Sequence, residues 1–69
     1  MERTPVSSSS IAAIGYDVEN YLLEVEFIRG AVYLYSGVSM DEKDGFVNSD
    51  SKGKYFYANI RNRYSYIKL

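Results

Sequence analysis

Apolar and acidic residues alternate along Leu23-Glu24-Val25-Glu26-Phe27, the period of two that marks a strand with one buried face. Val32-Tyr33-Leu34-Tyr35 is β-branched and aromatic, a composition that fits a pleated surface. Arg29-Gly30 between them reads as a tight turn, since glycine adopts positive φ without steric cost. A two-residue loop there pairs Phe27 with Val32, Val25 with Leu34 and Glu24 with Tyr35. On that register Leu23, Val25, Phe27, Val32 and Leu34 share the buried face, and Glu24, Glu26, Tyr33 and Tyr35 share the other. A strand is also predicted upstream over Ile11–Tyr16, turning through Asp17-Val18-Glu19-Asn20. Gly15 within it marks a bulge or a close backbone approach.

The period lengthens after residue 38. Ser39-Met40-Asp41-Glu42 has the form of a capping box, with Ser39 as N-cap and Glu42 three residues on. The helix it starts runs through Phe46 and Val47, weakened by Gly45, and ends near Asn48. Ser51 caps a second helix over Lys52–Ile60, in which Phe56 and Ile60 are four apart and face the core. Arg61–Leu69 is either an extended arm or a last edge strand. The expectation is an α+β fold: a three-stranded antiparallel sheet followed by two short helices packed on one face, one domain over residues 6–68. Its expected core is the five apolar strand residues above with Ile11, Ile14, Phe56 and Ile60.

Composition narrows the function. The chain has 69 residues, 46% hydrophobic and 25% charged, which suits one globular domain and not a disordered segment. It contains neither His nor Cys. That removes the imidazole base, the thiol nucleophile and the His/Cys zinc site. A non-catalytic binding or assembly module is therefore expected, with no cofactor. Met1–Val6 lacks the charged region and apolar core of a leader peptide, and no apolar run is long enough to span a bilayer, so a cytoplasmic location is expected.

Net charge is −1, but it is segregated. Residues 1–49 carry three basic residues against eight acidic ones, whereas residues 50–69 carry five basic residues against Asp50 alone. The same C-terminal stretch holds Tyr55, Tyr57, Tyr64 and Tyr66.

The chain resembles the KTSC domain, a short stand-alone bacterial protein that also occurs at the C-terminus of some lysyl-tRNA synthetases. The resemblance rests on Ser8-Ser9-Ser10-Ile11, Ile14-Gly15-Tyr16-Asp17, Leu23–Phe27, Gly30 and a central Tyr-x-Tyr at Tyr33-Leu34-Tyr35. It continues through Val38, Ser51-Lys52-Gly53-Lys54-Tyr55-Phe56, Ile60-Arg61, Tyr64 and Tyr66. It covers about residues 6 to 68, and its specificity lies in the concatenation of these pieces. Tyr33, Tyr35, Ser51 and Gly53 match the family's motif positions. The chain departs from the pattern at residues 40–48, where Asp41-Glu42-Lys43-Asp44-Gly45 replaces a more apolar helix. The synthetase association implies RNA binding.

Three groups of residues carry candidate chemistry. Ser51-Lys52-Gly53-Lys54 could offer backbone N–H groups, a hydroxyl and two ammonium groups to a phosphate, or serve only as a cap with solvated lysines. It lacks the preceding glycine-rich loop of a nucleotide hydrolase. Tyr33 and Tyr35 could stack bases, but on the register above they stand beside Glu24 and Glu26, whose charge repels phosphate. They are expected to pack under a helix or in a subunit interface. The C-terminal cations and rings form the composition of a single-strand or tRNA binder. Lys52, Lys54, Arg61 and Arg63 are the expected phosphate contacts, and Tyr57 or Tyr64 the stacking ring. The leading expectation is RNA or tRNA binding by the C-terminal helix and tail. The alternative is a protein-interaction or self-association module, a homodimer included, because a small domain without staples has few other ways to hide apolar surface.

Overall fold

The computed structural model describes residues 1–69. Five strands form one antiparallel meander in the order β1-β2-β3-β4-β5: β1 Arg3–Pro5, β2 Ile11–Asp17, β3 Leu22–Phe27, β4 Val32–Ser36 and β5 Tyr66–Lys68. Helix α1, Met40–Val47, and helix α2, Lys52–Tyr55, lie between β4 and β5. Helix α2 runs on as a π-helical turn over Phe56–Ile60, closed by the Arg61 N–H donating to the Phe56 carbonyl.

The α+β class stands, with five strands in place of the expected three. Both additions are three-residue edge strands, too short for a period of two to emerge from the sequence, and β5 is the edge-strand alternative for Arg61–Leu69. β1 contains Pro5, which lacks an N–H and is tolerated only at an edge. Gly15 supplies the close approach: a Cβ there would meet the Glu2 carbonyl at 2.9 Å. The bulge in β2 lies instead between Ile11 and Ala13.

The β3–β4 register differs from the expected one by a single residue. The Phe27 carbonyl accepts from the Gly30 N–H at 2.9 Å, and the Phe27 N–H donates to the Ala31 carbonyl at 2.8 Å. The loop therefore comprises Ile28, Arg29 and Gly30, with Gly30 at φ 104° as its left-handed third residue. One extra loop residue pairs Val25 with Tyr33 and Leu23 with Tyr35. A slip of one turns every β4 side chain to the opposite face. Tyr33 and Tyr35 thus share the helix-covered face with Leu23 and Val25, while Val32 and Leu34 share the outer face with Glu24 and Glu26.

The core follows from that correction. Ile11, Ile14, Leu23, Val25, Phe56 and Ile60 are buried as expected. Tyr35, Val38 and Phe46 join them, while Val32 and Leu34 are only half-buried and lie outside the cluster. Phe27 is also half-buried, packing edge-on against Phe56 at 5.3 Å and Tyr33 at 5.8 Å.

Both helix caps form. The Ser39 and Ser51 hydroxyls accept from the N–H groups of Glu42 and Lys54 at 3.1 and 3.3 Å. The capping box stays half made, because the Glu42 carboxylate is engaged elsewhere. It accepts from the Tyr55 and Tyr64 hydroxyls, tying α1 to α2 and to the segment before β5. The Tyr55 ring crosses α1 at Gly45, where a Cβ would meet its hydroxyl at 2.5 Å. That contact accounts for a glycine in the middle of a helix.

Candidate nucleic-acid interface

Where the helices leave the tyrosine face uncovered, a groove of about 570 Å³ opens. Its floor is Tyr33 and Tyr35 of β4, with Phe56 from the π turn. Tyr66 of β5 lines it from the sheet, Tyr57, Arg61 and Asn62 from the helical side. Ser9, Ser10, Phe27, Ile28 and Arg29 complete it.

The rings form a connected set. Tyr66 packs against Tyr33 at 5.6 Å and Tyr35 at 5.5 Å, and Tyr35 against Phe56 at 5.6 Å. Such edge and tilted packing holds each ring in one orientation. Tyr35 is 3% exposed, and its burial pushes the phenol's pKa up to about 12. Tyr57 and Tyr66 are 58% and 56% exposed, with ring surface free for a ligand. The Arg61 guanidinium lies 5.0 Å from the Tyr57 ring centre, a cation–π pair at the groove.

The groove is electropositive by the placement of its charges. Arg29 and Arg61 are exposed, and neither joins any of the four ion pairs in the chain. No Asp or Glu lines it. Glu24 and Glu26 are on the far face of the sheet, bound by Arg3 at 2.6 and 3.2 Å. Lys68 pairs with Tyr33 in register and so belongs to the tyrosine face. The carboxylates expected beside Tyr33 and Tyr35 are therefore behind them.

The candidate residues from the sequence divide into two groups. Tyr57, Arg61, Tyr33 and Tyr35 meet in the groove. Lys52, Lys54, Arg63 and Tyr64 do not line it: the Lys52 ammonium donates to the Ser49 carbonyl at 3.2 Å, and Lys54 is exposed. Arg63 reaches Glu42 at 3.9 Å, and Tyr64 donates to the same carboxylate at 2.9 Å. Burial first, and then that bond, raises the Tyr64 pKa. Ser51 is a cap, and Gly53 makes room for the Ser10 hydroxyl, which a Cβ would meet at 2.9 Å. Sequence reasoning missed Arg29, Phe27 and Asn62 as lining residues. In the sequence Arg29 reads only as a turn residue, and the three-residue loop is what brings it to the groove. No cluster of three or more carboxylates converges in the chain.

Residues 7–64 match the KTSC domain. The chain belongs to the KTSC domain family. A KTSC domain protein from Yersinia pestis, known from its crystal structure, superposes with a TM-score of 0.93 at 39% identity, covering 99% of this chain and 96% of that one. A protein of Stutzerimonas stutzeri is 41% identical over 56 residues, 81% of this chain and 79% of its own length. The lysine–tRNA ligase of a Nostoc species is 34% identical over 61 residues, which are 88% of this chain but 11% of the ligase. This small KTSC domain is thus related to a segment of lysine–tRNA ligases. No helix in it is long and apolar enough to cross a membrane.

Proposed function

We propose that this KTSC domain is a non-catalytic module that binds single-stranded RNA, or an unpaired stretch of tRNA, in the tyrosine groove. The observation that carries the reading is the groove itself: exposed aromatic rings beside two unpaired arginines, with every carboxylate elsewhere. Cations hold phosphates, and rings stack on bases whatever their identity. The kinship with a segment of a tRNA ligase supports RNA as the class of nucleic acid. Arg29 and Arg61 are the proposed phosphate and base contacts and Tyr57 and Tyr66 the stacking rings.

Fluorescence polarisation with a labelled single-stranded RNA of about ten nucleotides tests this. Affinity should fall steeply with salt. Arg29→Ala with Arg61→Ala should weaken binding and reduce the slope of log K against log salt by about 0.7 for each of the two that meets a phosphate on a single strand. Arg63→Ala, whose partner is Glu42, should change the slope far less. Glu24→Gln, on the opposite face, should leave binding unchanged. No salt-dependent affinity for any RNA or DNA at micromolar protein overturns the reading and favours a protein-docking role for the groove.

A further inference from the structure

We infer that this chain pairs with a second copy of itself along the free edge of β5, about a two-fold axis at Ile67, so that two five-stranded sheets join into one. β5 ends the sheet and pairs only with β4. The Leu69 N–H donates to the Val32 carbonyl at 2.8 Å, and the Ser65 carbonyl accepts from the Ser36 N–H at 2.9 Å. Residues 65 and 69 thus turn their backbone groups to β4, and by the alternation of an antiparallel ladder Ile67 does so too. The N–H and C=O of Tyr66 and of Lys68 therefore point off the edge of the sheet. A two-fold axis normal to the sheet at Ile67 sets Tyr66 of one copy opposite Lys68 of the other. That register satisfies every one of these edge groups, each Tyr66–Lys68 pair exchanging both of its N–H to C=O bonds.

The occupant is a second copy because the strand complements itself. β1, the opposite edge, contains Pro5, which has no N–H to give, so β5 finds no complete ladder on β1 of another copy and assembly closes at two. Lysine on an edge strand ordinarily guards it against pairing. Here Lys68 meets Tyr66 of the other copy and not its own mate, so like charges are not opposed. All three residues of β5 are exposed, Ile67 by 58%. Pairing sets Ile67 against its mate at a non-hydrogen-bonded position, where side chains stand closest, and carries the outer-face contact of Leu34 with Ile67 across the axis. On the other face Tyr66 lines the groove, so each groove gains Lys68 of the second copy, and both grooves open on the same side of the joined sheet. A three-residue edge buries far less than the roughly 1,200 Å² of a standard interface, so the dimer is a weak one.

The pairing needs only the backbone of β5 and stands or falls apart from RNA binding. Sedimentation equilibrium of the wild-type chain should show its mass climb from 7.9 kDa toward twice that, with a dissociation constant on the order of 100 µM. Lys68→Pro removes an N–H that faces away from β4 and leaves the β4–β5 bonds in place. It should weaken association by about tenfold or more, with an unchanged circular dichroism spectrum as the check on its fold. The chain has no cysteine, so Ile67→Cys reports the axis directly. The paired Cα atoms would stand about 4.5 Å apart, within the range a disulfide bridges. Ile28→Cys is the control, equally exposed but on the β3–β4 loop, about five strand spacings or roughly 24 Å from its mate. Under oxidised glutathione the first variant should link into dimers about fivefold faster than the second, or more. A mass fixed near 7.9 kDa up to about 1 mM, association undiminished in folded Lys68→Pro, or equal linking of the two cysteine variants each overturns the inference.

Discussion

The β3–β4 register makes opposite demands on two neighbouring residues, and stability measurements can separate them. Tyr35 is 3% exposed under Phe56, whereas Leu34 is half-buried on the outer face opposite Glu24 and Ile67. Truncating a buried aromatic residue to alanine costs about 3–5 kcal/mol through lost transfer energy and the cavity left behind. The whole domain, at about 0.05–0.15 kcal/mol per residue, has roughly 3–10 kcal/mol to lose. Tyr35→Ala should therefore leave the protein largely unfolded at room temperature or lower its melting temperature by more than about 12 °C, at about 4 °C or more per kcal/mol for a domain this size. Leu34→Thr removes little buried area and adds a good strand former, so it should cost under about 1 kcal/mol. Urea titrations followed by far-UV circular dichroism give both values. A two-residue Arg29-Gly30 loop predicts the reverse order. Leu34→Thr unfolding the domain while Tyr35→Ala melts near the parent would refute the register, and with it the placement of the groove.

Two further outcomes concern the contacts that hold the helices. Gly45→Ala should destabilise the protein despite the better helix propensity of alanine, because the new Cβ meets the Tyr55 hydroxyl at 2.5 Å and displaces it from Glu42; a raised melting temperature would show that the ring gives way freely. Alkali should weaken the fold between about pH 10 and pH 12, in the following way. The hydrogen bond to Glu42 pushes Tyr55 up to about 12 and burial does the same to Tyr35, from the usual 10.0. The unfolded chain then loses protons that the folded chain retains, so stability is full below pH 10 and falls as pH rises. Chemical denaturation at pH 8, 10 and 11, with phenolate absorbance recorded in parallel, checks it; a midpoint that does not move from pH 8 to pH 11 contradicts the assigned environments.

Local rules account for most of the elements. Ser39 and Ser51 are caps because a short hydroxyl side chain can satisfy free N–H groups at a helix start, and that requirement is visible in four residues. The alternation in Leu23–Phe27 marks a half-buried strand wherever its partners lie. The first edge has no local signal and the last stays open between an arm and a strand, for a different reason. Arg3–Pro5 and Tyr66–Lys68 pair only because β2 and β4 present free hydrogen-bonding edges to them, so their structure is tertiary in origin. Tyr35, Val38 and Phe46 entered the core in the same way. Phe46 is buried by Tyr55 and Phe56, at 5.8 and 6.3 Å, and not by any periodicity of its own helix.

The site was obscured by one loop residue. Arg29-Gly30 looked like a complete turn, and a turn one residue too short placed Glu24 and Glu26 beside the tyrosines and so argued against a nucleic-acid face. Nothing in the local sequence separates the two loops, since a glycine at the left-handed position suits either. What separates them is the burial of Tyr35 under Phe56, a contact between residues 21 apart. A pI near 5.2 describes the chain as a whole, yet Glu24 and Glu26 are held by Arg3 on the far face and Glu42 by Tyr55 and Tyr64 between the helices. A ligand at the tyrosine face meets Arg29, Arg61 and Lys68 first. At physiological salt the screening length is about 8 Å, so charges behind the sheet are damped relative to these three. Local charge at the groove, rather than net charge, therefore governs what it attracts.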